Sequence, residues 1–300
     1  MNWVNAIIQG LLLGGLYALF ACGLSLMFGV MKVINLAHGD LAVVAAYVAL
    51  GLVAVTHTNT VSAVLHVPIG VSYALVVPIF ALIGYVVQRT LLQASLNRGV
   101  LTTLLVTFGL SVVIENGLQQ FLSANSHSLS IGSLVSDSFS VGSQITIAYL
   151  DLAILVVAVI VLLGLQYFLS SSKNGRLIRA VADDREAAQL AGVDYRHVFG
   201  IAAAIAFGTV ALAGLAYGMY TQFTPTTGTD QLLLLFAFEA VVIGGLGSLW
   251  GTLAGGILLG VAQQIGAQIG SQDQFLVGQL LFLLVLVVRP QGITSRREAA

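Results

Sequence analysis

The first 31 residues of this chain contain no charged side chain, and eight further apolar runs follow. A helix needs about 20 mostly apolar residues to cross ~30 Å of hydrocarbon. The runs are apolar on every face, whereas barrel strands would alternate in units of ~10 residues. We therefore predict an all-α polytopic membrane protein, a bundle of transmembrane helices with broken or re-entrant segments.

The predicted spans number about eight to ten, with nine as the working value. They cover about 5–29, 41–56, 69–88, 100–122, 147–169, 198–220, 232–247, 251–269 and 275–289. Three of these runs, 41–56, 232–247 and 275–289, are too short for a comfortable crossing. They could tilt, extend into flanking residues, or enter the membrane and return on the same side.

Charged residues make up only 8% of the 300 residues, against about 25% in soluble domains. This scarcity excludes an ordinary cytosolic enzyme and a disordered chain. The net charge of −1 offers no basic surface to nucleic acid. Cys22 is the one cysteine, which excludes a disulfide framework and a cysteine metal cluster, and we expect it to be a small buried apolar residue.

The few charges are clustered. Nine lie in the charged loop, residues 171–197, and four lie in residues 289–300. All 11 Lys and Arg residues fall within 30–33, 89–99, 171–197 and 289–300. By the positive-inside rule these segments are cytoplasmic, and the serine-rich loop 123–147 is external. Nine spans then place the N-terminus outside and the tail 290–300 inside, in a single membrane domain.

The N-terminus lacks a basic segment and a small-residue cleavage site, which predicts a retained first span. His57, His66 and His127 are expected in loops, and no residues group as metal ligands.

The pattern of the charged loop predicts two short amphipathic helices. Apolar residues recur near helical spacing at Leu177, Ile178, Val181, Ala182, Leu190 and Val193. Asp183 and Asp184 suit a helix N-terminus, and Gly192 suits the position just after a helix. Such helices would present Ala and Gly to a partner. The alternative is a solvated loop between two spans.

Two segments are predicted to break membrane helices, Asn35–Asp40 and Gly244–Ser248. Broken helices expose backbone groups that survive in a membrane only where protein or water satisfies them. The breaks therefore indicate a central pathway or a subunit interface. Both segments interrupt an apolar run that then resumes, and this similarity reflects either an internal repeat or chance. Gly-x-x-x-Gly spacing at 247/251, 251/255 and 256/260 favours close helix packing, either within the subunit or in gating.

Ionisable side chains within spans are costly and are candidates for function. Glu115 and Glu239 are each either a pathway group or a buried structural hydrogen-bond centre, and Asp40 could cap a helix start. The candidate residues for the translocation pathway or gate are Asn35, His38, Gly39, Asp40, Glu115, Asn116, Glu239, Gly244, Gly245 and Gly247.

The segment Glu186-Ala187-Ala188-x-x-x-Gly192 resembles the EAA loop of ABC importer permeases. In that family the loop docks into a cleft of the ATP-binding subunit and transmits its closure. The resemblance implies an ATPase-coupling role for Arg176, Arg179, Asp183, Asp184, Glu186, Ala187, Ala188 and Gly192. The family's downstream Ile-x-Leu-Pro is absent, which speaks against the maltose-type branch.

Three further segments indicate which branch of the ABC importer permeases the chain resembles. Asn35-Leu36-Ala37-His38-Gly39, the glycine-rich stretch 238–256 and Arg289-Pro290-Gln291-Gly292 are similar, in order, to elements of the branched-chain amino-acid ABC transporter permeases of LivH type. This resemblance implies a multi-pass protein of the bacterial inner membrane that binds no cofactor. ATP and Mg²⁺ would lie on two cytoplasmic ATP-binding subunits. The other implied partners are a second related permease, or a second copy, and a periplasmic solute-binding protein.

Other functions remain open at this stage. The same machinery could import urea, short amides or aromatic acids in place of branched-chain or other neutral amino acids. An ion-coupled secondary transporter would use Glu115 or Glu239 and would need no EAA loop. An intramembrane enzyme needs a clustered catalytic set, but the sequence has no His-Glu-x-x-His, Gly-x-Ser-x-Gly or paired-Asp motif. It also has no P-loop, so an ATPase would be another chain.

Overall fold

The computed structural model describes residues 3–52, 69–121, 129, 138–141, 145–221, 229–270 and 272–294. Its helices are α1 Trp3–Met31, α2 His38–Leu52, α3 Ile69–Val87, α4 Gln93–Leu96, α5 Val100–Phe121, α6 Tyr149–Ser171, α7 Lys173–Asp183, α8 Arg185–Leu190, α9 Tyr195–Tyr220, α10 Thr229–Gly244, α11 Leu249–Ile269 and α12 Asp273–Val288. A π-helical turn, Gln88–Leu92, joins α3 to α4. His57, His66, His127 and the end of the tail lie outside the described residues.

The helices confirm the membrane bundle. In the described part of the chain, six helices are long and apolar enough to span a membrane, and α2, α10 and α12 are shorter apolar helices. Each of the nine coincides with one predicted span. The three short ones have 15, 16 and 16 residues, or about 24 Å of helix, as the short runs 41–56, 232–247 and 275–289 indicated.

A short hairpin is the one departure from an all-helical chain among the described residues. Strand β1, Ser138–Val141, pairs antiparallel with β2, Ile145–Ala148, in the register Ser138 opposite Ala148. The β-branched residues in this segment have high strand propensity. The sequence analysis assigned no structure to the serine-rich loop, most of which lies outside the described residues.

The chain forms two compact units, each assembled from separate segments. Unit 1 comprises residues 1–29, 132–166 and 235–300, and unit 2 comprises residues 30–131 and 167–234. The boundaries fall inside α6 and α10 and near the end of α1. Neither unit is a contiguous stretch of chain, so the single membrane domain remains a prediction.

Glycines bring the helices of unit 1 into backbone contact. Gly14 on α1 faces Gly256 on α11 so closely that a Cβ on either residue would lie 2.8 Å from the carbonyl oxygen of the other. A Cβ on Gly260 would lie 2.6 Å from the Gly14 nitrogen. The four-residue spacing of Gly256 and Gly260 therefore packs two helices together, as the sequence predicted.

Helix α9 is the centre of unit 2. It is buried over most of its 26 residues and packs against α2 and α3. A Cβ on Gly214 would collide with the carbonyl of Ala42 on α2, and one on Gly84 of α3 would lie 2.7 Å from the Ala203 oxygen. Small residues thus allow α9 to approach both neighbours closely. In contrast, α5 lies at the edge of the unit, with most of its residues exposed or half-buried.

Candidate functional site

The charged loop folds into α7 and α8, as predicted. The Asp184 carboxylate caps α8 by accepting hydrogen bonds from the backbone N–H groups of Glu186 (2.9 Å) and Ala187 (3.0 Å). Gly192 has φ +82°, a conformation that favours glycine, and its N–H donates to the Gln189 carbonyl at 2.9 Å. Asp183 does not sit at a helix start, because it is the last residue of α7.

The two helices turn a defined face outward. Ile178 and Val181 of α7 are buried, and Leu190, the last residue of α8, is 91% exposed. Glu186, Ala187 and Gly192 are also exposed, whereas Ala188 is buried. Of the predicted Ala and Gly surface, Ala188 therefore faces inward, and the exposed Leu190 is an additional outward-facing residue.

The predicted coupling arginines contact their own chain. Arg176 donates to the Ser171 carbonyl at 3.0 Å, and Arg179 donates to the Ser170 carbonyl at 3.2 Å. Both carbonyls belong to the last turn of α6, where basic groups satisfy unpaired oxygens and complement the helix dipole. A surface depression is lined by Asp183, Asp184, Arg185, Glu186 and Gln189.

The first helix break lies between α1 and α2. Asn35 is fully buried, its Oδ1 accepts from the Ala37 N–H at 3.1 Å, and its carbonyl accepts from the His38 N–H at 3.2 Å. His38, Gly39 and Asp40 belong to the first turn of α2 and are buried, so the break ends before them rather than at Asp40. Asn35 Nδ2 has no hydrogen-bond partner among the described residues.

The second break lies between α10 and α11, as predicted. Gly245 and Gly247 adopt φ +107° and +82°, and Ser248 caps α11 by accepting from the Gly251 N–H at 3.1 Å. The chain after α12 returns to this break. The Ile293 N–H donates to the Ile243 carbonyl at 3.0 Å, and Thr294 Oγ1 donates to the Gly244 carbonyl at 2.6 Å.

This return joins two segments that the sequence analysis treated separately. The glycine-rich stretch leaves the last carbonyls of α10 without helical partners. The backbone after Gly292, itself at φ +82°, supplies the donors. The first residues of the tail 290–300 therefore belong to unit 1 rather than lying free in solution.

Glu239 lies in a buried polar network of unit 1. It is fully buried on α10, and its Oε1 accepts a hydrogen bond from Gln279 Nε2 on α12. Glu239 Oε2 has no hydrogen-bond partner among the described residues. Nearby, the Tyr17 hydroxyl of α1 donates to Gln263 Oε1 of α11 at 2.6 Å. Four apolar helices thus each contribute one or more polar groups to the interior of this unit.

Replacing Glu239 by leucine is expected to lower the free energy of unfolding by about 1–3 kcal/mol, because the half-buried Gln279 amide loses its acceptor. Glu239→Gln keeps an acceptor oxygen at the same place, so its free energy of unfolding should remain close to that of the parent protein. Thermal unfolding in detergent measures both. Equal destabilisation by the two variants would show that the carboxyl group, and not the hydrogen bond, is required.

Glu115 and Asn116 lie in the last third of α5. Asn116 is exposed, and its Nδ2 donates to the Val112 carbonyl at 2.7 Å. Glu115 is half-buried. These residues share unit 2 with Asn35, His38, Gly39 and Asp40, whereas Glu239, Gly244, Gly245 and Gly247 belong to unit 1. The pathway role of the ten residues remains a prediction.

No pattern in the sequence predicted the contacts of four residues, Tyr17, Gln263, Gln279 and Thr294. Each lies in an apolar or terminal segment, with no local pattern that predicts its partner. The intervals of 246 and 40 residues between Tyr17 and Gln263 and between Glu239 and Gln279 cannot be deduced from spacing. For Tyr17, Gln263 and Gln279, a polar side chain inside an apolar span is the signal that could have marked them as candidates.

The described residues form nine apolar helices and a capped helical loop rich in charge, which define a multi-pass membrane protein. The family described as "Branched-chain amino acid transport system / permease component" matches residues 6–288. The chain therefore belongs to this family of transport permeases. No solved structure matches it.

Three relatives are similar to this chain over nearly its whole length. The high-affinity branched-chain amino acid transport system permease protein BraD of Pseudomonas aeruginosa is 31% identical, over 99% of this chain and 97% of its own length. LivH of Escherichia coli K12 is 29% identical over the same shares. A probable LivH of Methanocaldococcus jannaschii is 27% identical over 96% of this chain and 92% of its own length.

Proposed function

We propose that this chain is the inner-membrane permease subunit of a binding-protein-dependent importer of branched-chain amino acids. Two separate ATP-binding subunits supply the driving force, and ATP and Mg²⁺ bind there rather than on this chain. A second permease completes the pathway, and an external binding protein delivers the solute. Family membership and the printed names of BraD and LivH support this assignment.

The exposed end of α8 is the observation that carries the ATPase-docking part of the proposal. Leu190 is 91% exposed at the end of a six-residue helix. A leucine in this position buries little of its side chain within the chain and favours burial against another protein. Glu186 and Gln189, two exposed polar residues of α8 that line the surface depression, supply polar groups at the rim, an arrangement typical of protein interfaces.

In this mechanism the chain carries out no bond-breaking step. ATP binding closes the partner subunits around α8, and the loop moves with them. The glycine-packed helices of each unit are rigid enough to move as bodies, because their backbones are in contact. Alternation between outward and inward access then moves the solute.

The direct test is reconstitution of the full complex in proteoliposomes with its binding protein. We expect ATP-dependent uptake of radiolabelled leucine, isoleucine or valine that needs the binding protein. Uptake of urea or a short amide instead would reassign the substrate. Uptake by this chain alone, driven by a proton or sodium gradient without ATP, would replace the importer with a secondary transporter.

Leu190→Asp is expected to weaken ATPase binding by at least about thirtyfold, since it places a carboxylate in the centre of the docking surface. Co-purification of the ATP-binding subunit with the tagged permease measures this loss. Asn97→Asp is the matched control, because it adds the same charge at an exposed position on the predicted cytoplasmic face. Unchanged co-purification with Leu190→Asp would exclude α8 as the docking helix.

A further inference from the structure

The first residue of α8 is stacked on the start of α9. The Arg185 guanidinium carbon lies 3.8 Å from the centre of the Tyr195 ring and 5.9 Å from that of Phe199. Tyr195 and Phe199 themselves meet edge to face, with ring centres 5.6 Å apart. A guanidinium within about 6 Å of a ring face is attracted to the ring's electrons, so Arg185 holds α8 against α9.

Helix α8 has few other attachments. Ala188 is the only buried residue among its six, all of which the structure describes. A helix of this length is not stable by itself, so its position depends on its contacts. Besides the Arg185 stack, α8 packs against α7, and residues 191–194 connect it covalently to α9. Helix α7 also packs against α9 and would keep the loop folded without the stack.

The start of α9 is anchored on its other side to the end of α3. Asp194 caps α9 by accepting from the Arg196 N–H at 3.0 Å, and its other carboxylate oxygen lies 3.6 Å from Arg89 in the π-helical turn. The Tyr85 hydroxyl and His197 Nδ1 are 2.9 Å apart. A displacement that reaches Tyr195 therefore acts on two spans, α3 and α9.

We propose that the Arg185–Tyr195 stack is the contact through which movement of α8 reaches α9, which makes Arg185 and Tyr195 positioning residues for transport. The proposal rests on the ATPase-docking role of α8. The stack faces α9 while Leu190 and Glu186 are exposed to a partner. Docking and transmission thus use different side chains of one short helix, and variants can separate them.

The test uses the complete transporter in proteoliposomes and measures solute transported per ATP hydrolysed. Arg185→Met keeps the apolar stem without the charge, and Tyr195→Leu removes the aromatic face. Both are expected to lower transport per ATP about tenfold while the ATP-binding subunits still co-purify. Tyr195→Phe keeps a ring face and should restore transport to near the parent level. Arg98→Met, a charge loss at an exposed position outside the charged loop, is the control.

Each outcome decides the proposal. Parent-level transport per ATP in Arg185→Met and Tyr195→Leu would overturn it, and so would equal loss in Tyr195→Phe and Tyr195→Leu, because the ring face would then have no role. If ATP-binding subunits bind neither the parent nor these variants, the ATPase-driven function itself fails. Loss of co-purification in Arg185→Met alone would place Arg185 in the docking surface and also contradict the proposal.

Discussion

Glu186→Lys and Gly192→Trp are each expected to reduce ATP-driven uptake to background, at least about thirtyfold, while the protein still inserts into the membrane. Lysine at position 186 reverses a charge in the first turn of α8, where the helix dipole favours an acid. Tryptophan at position 192 places a bulky ring on the exposed surface and forces a non-glycine residue into φ +82°. Uptake in proteoliposomes and the amount of permease in the membrane are the two measurements.

The matched control for Gly192→Trp is Gly99→Trp. Gly99 also has positive φ, +110°, and an added Cβ meets no atom within 4 Å at either position. The two variants therefore share backbone strain and bulk but differ in their distance along the chain from α8. Normal uptake in both Glu186→Lys and Gly192→Trp would refute docking through this helix. Equal loss in Gly99→Trp would attribute the defect to strain alone.

Gly244→Leu is expected to prevent accumulation of folded protein, with a loss of at least about 3 kcal/mol in the free energy of unfolding. A Cβ at this position would overlap the carbonyl of Gly251 and lie 2.7 Å from the Thr252 nitrogen. Both are backbone atoms that cannot move aside as a flexible side chain could. The Gly244 carbonyl also accepts a hydrogen bond from the Thr294 hydroxyl. Displacing Gly244 would therefore break the contact with the segment that follows α12.

Size-exclusion chromatography of the solubilised protein and its level in the membrane test this expectation. Gly164→Leu is the control, because Gly164 lies on α6 in unit 1 and an added Cβ there meets no atom within 4 Å. A monodisperse, stable Gly244→Leu protein would show that the contact between α10 and α11 is not required for folding.

Features with a local signal were predictable from the sequence. Asp184, Glu186 and Gly192 mark the two ends of α8 because capping chemistry acts over a few residues, and α8 forms at that position. The same reasoning misplaced Asp183, since one residue of difference decides whether an acid ends α7 or begins α8. The outward direction of Leu190 could not be predicted, because the apolar pattern of the charged loop does not show which of its apolar residues pack inward.

Three properties of this chain were determined by the sequence itself: its location in a membrane, the positions of nine helices along the chain, and the loop that carries the largest cluster of charge. Hydrocarbon excludes charge and requires about 20 apolar residues per crossing, so these properties follow from composition along the chain. Only the tertiary structure decided that residues 292–294 close the break after Gly244, that Gln279 binds Glu239, and that Arg185 stacks on Tyr195. These contacts join residues far apart in sequence or on separate helices, where packing and not local propensity selects the partner.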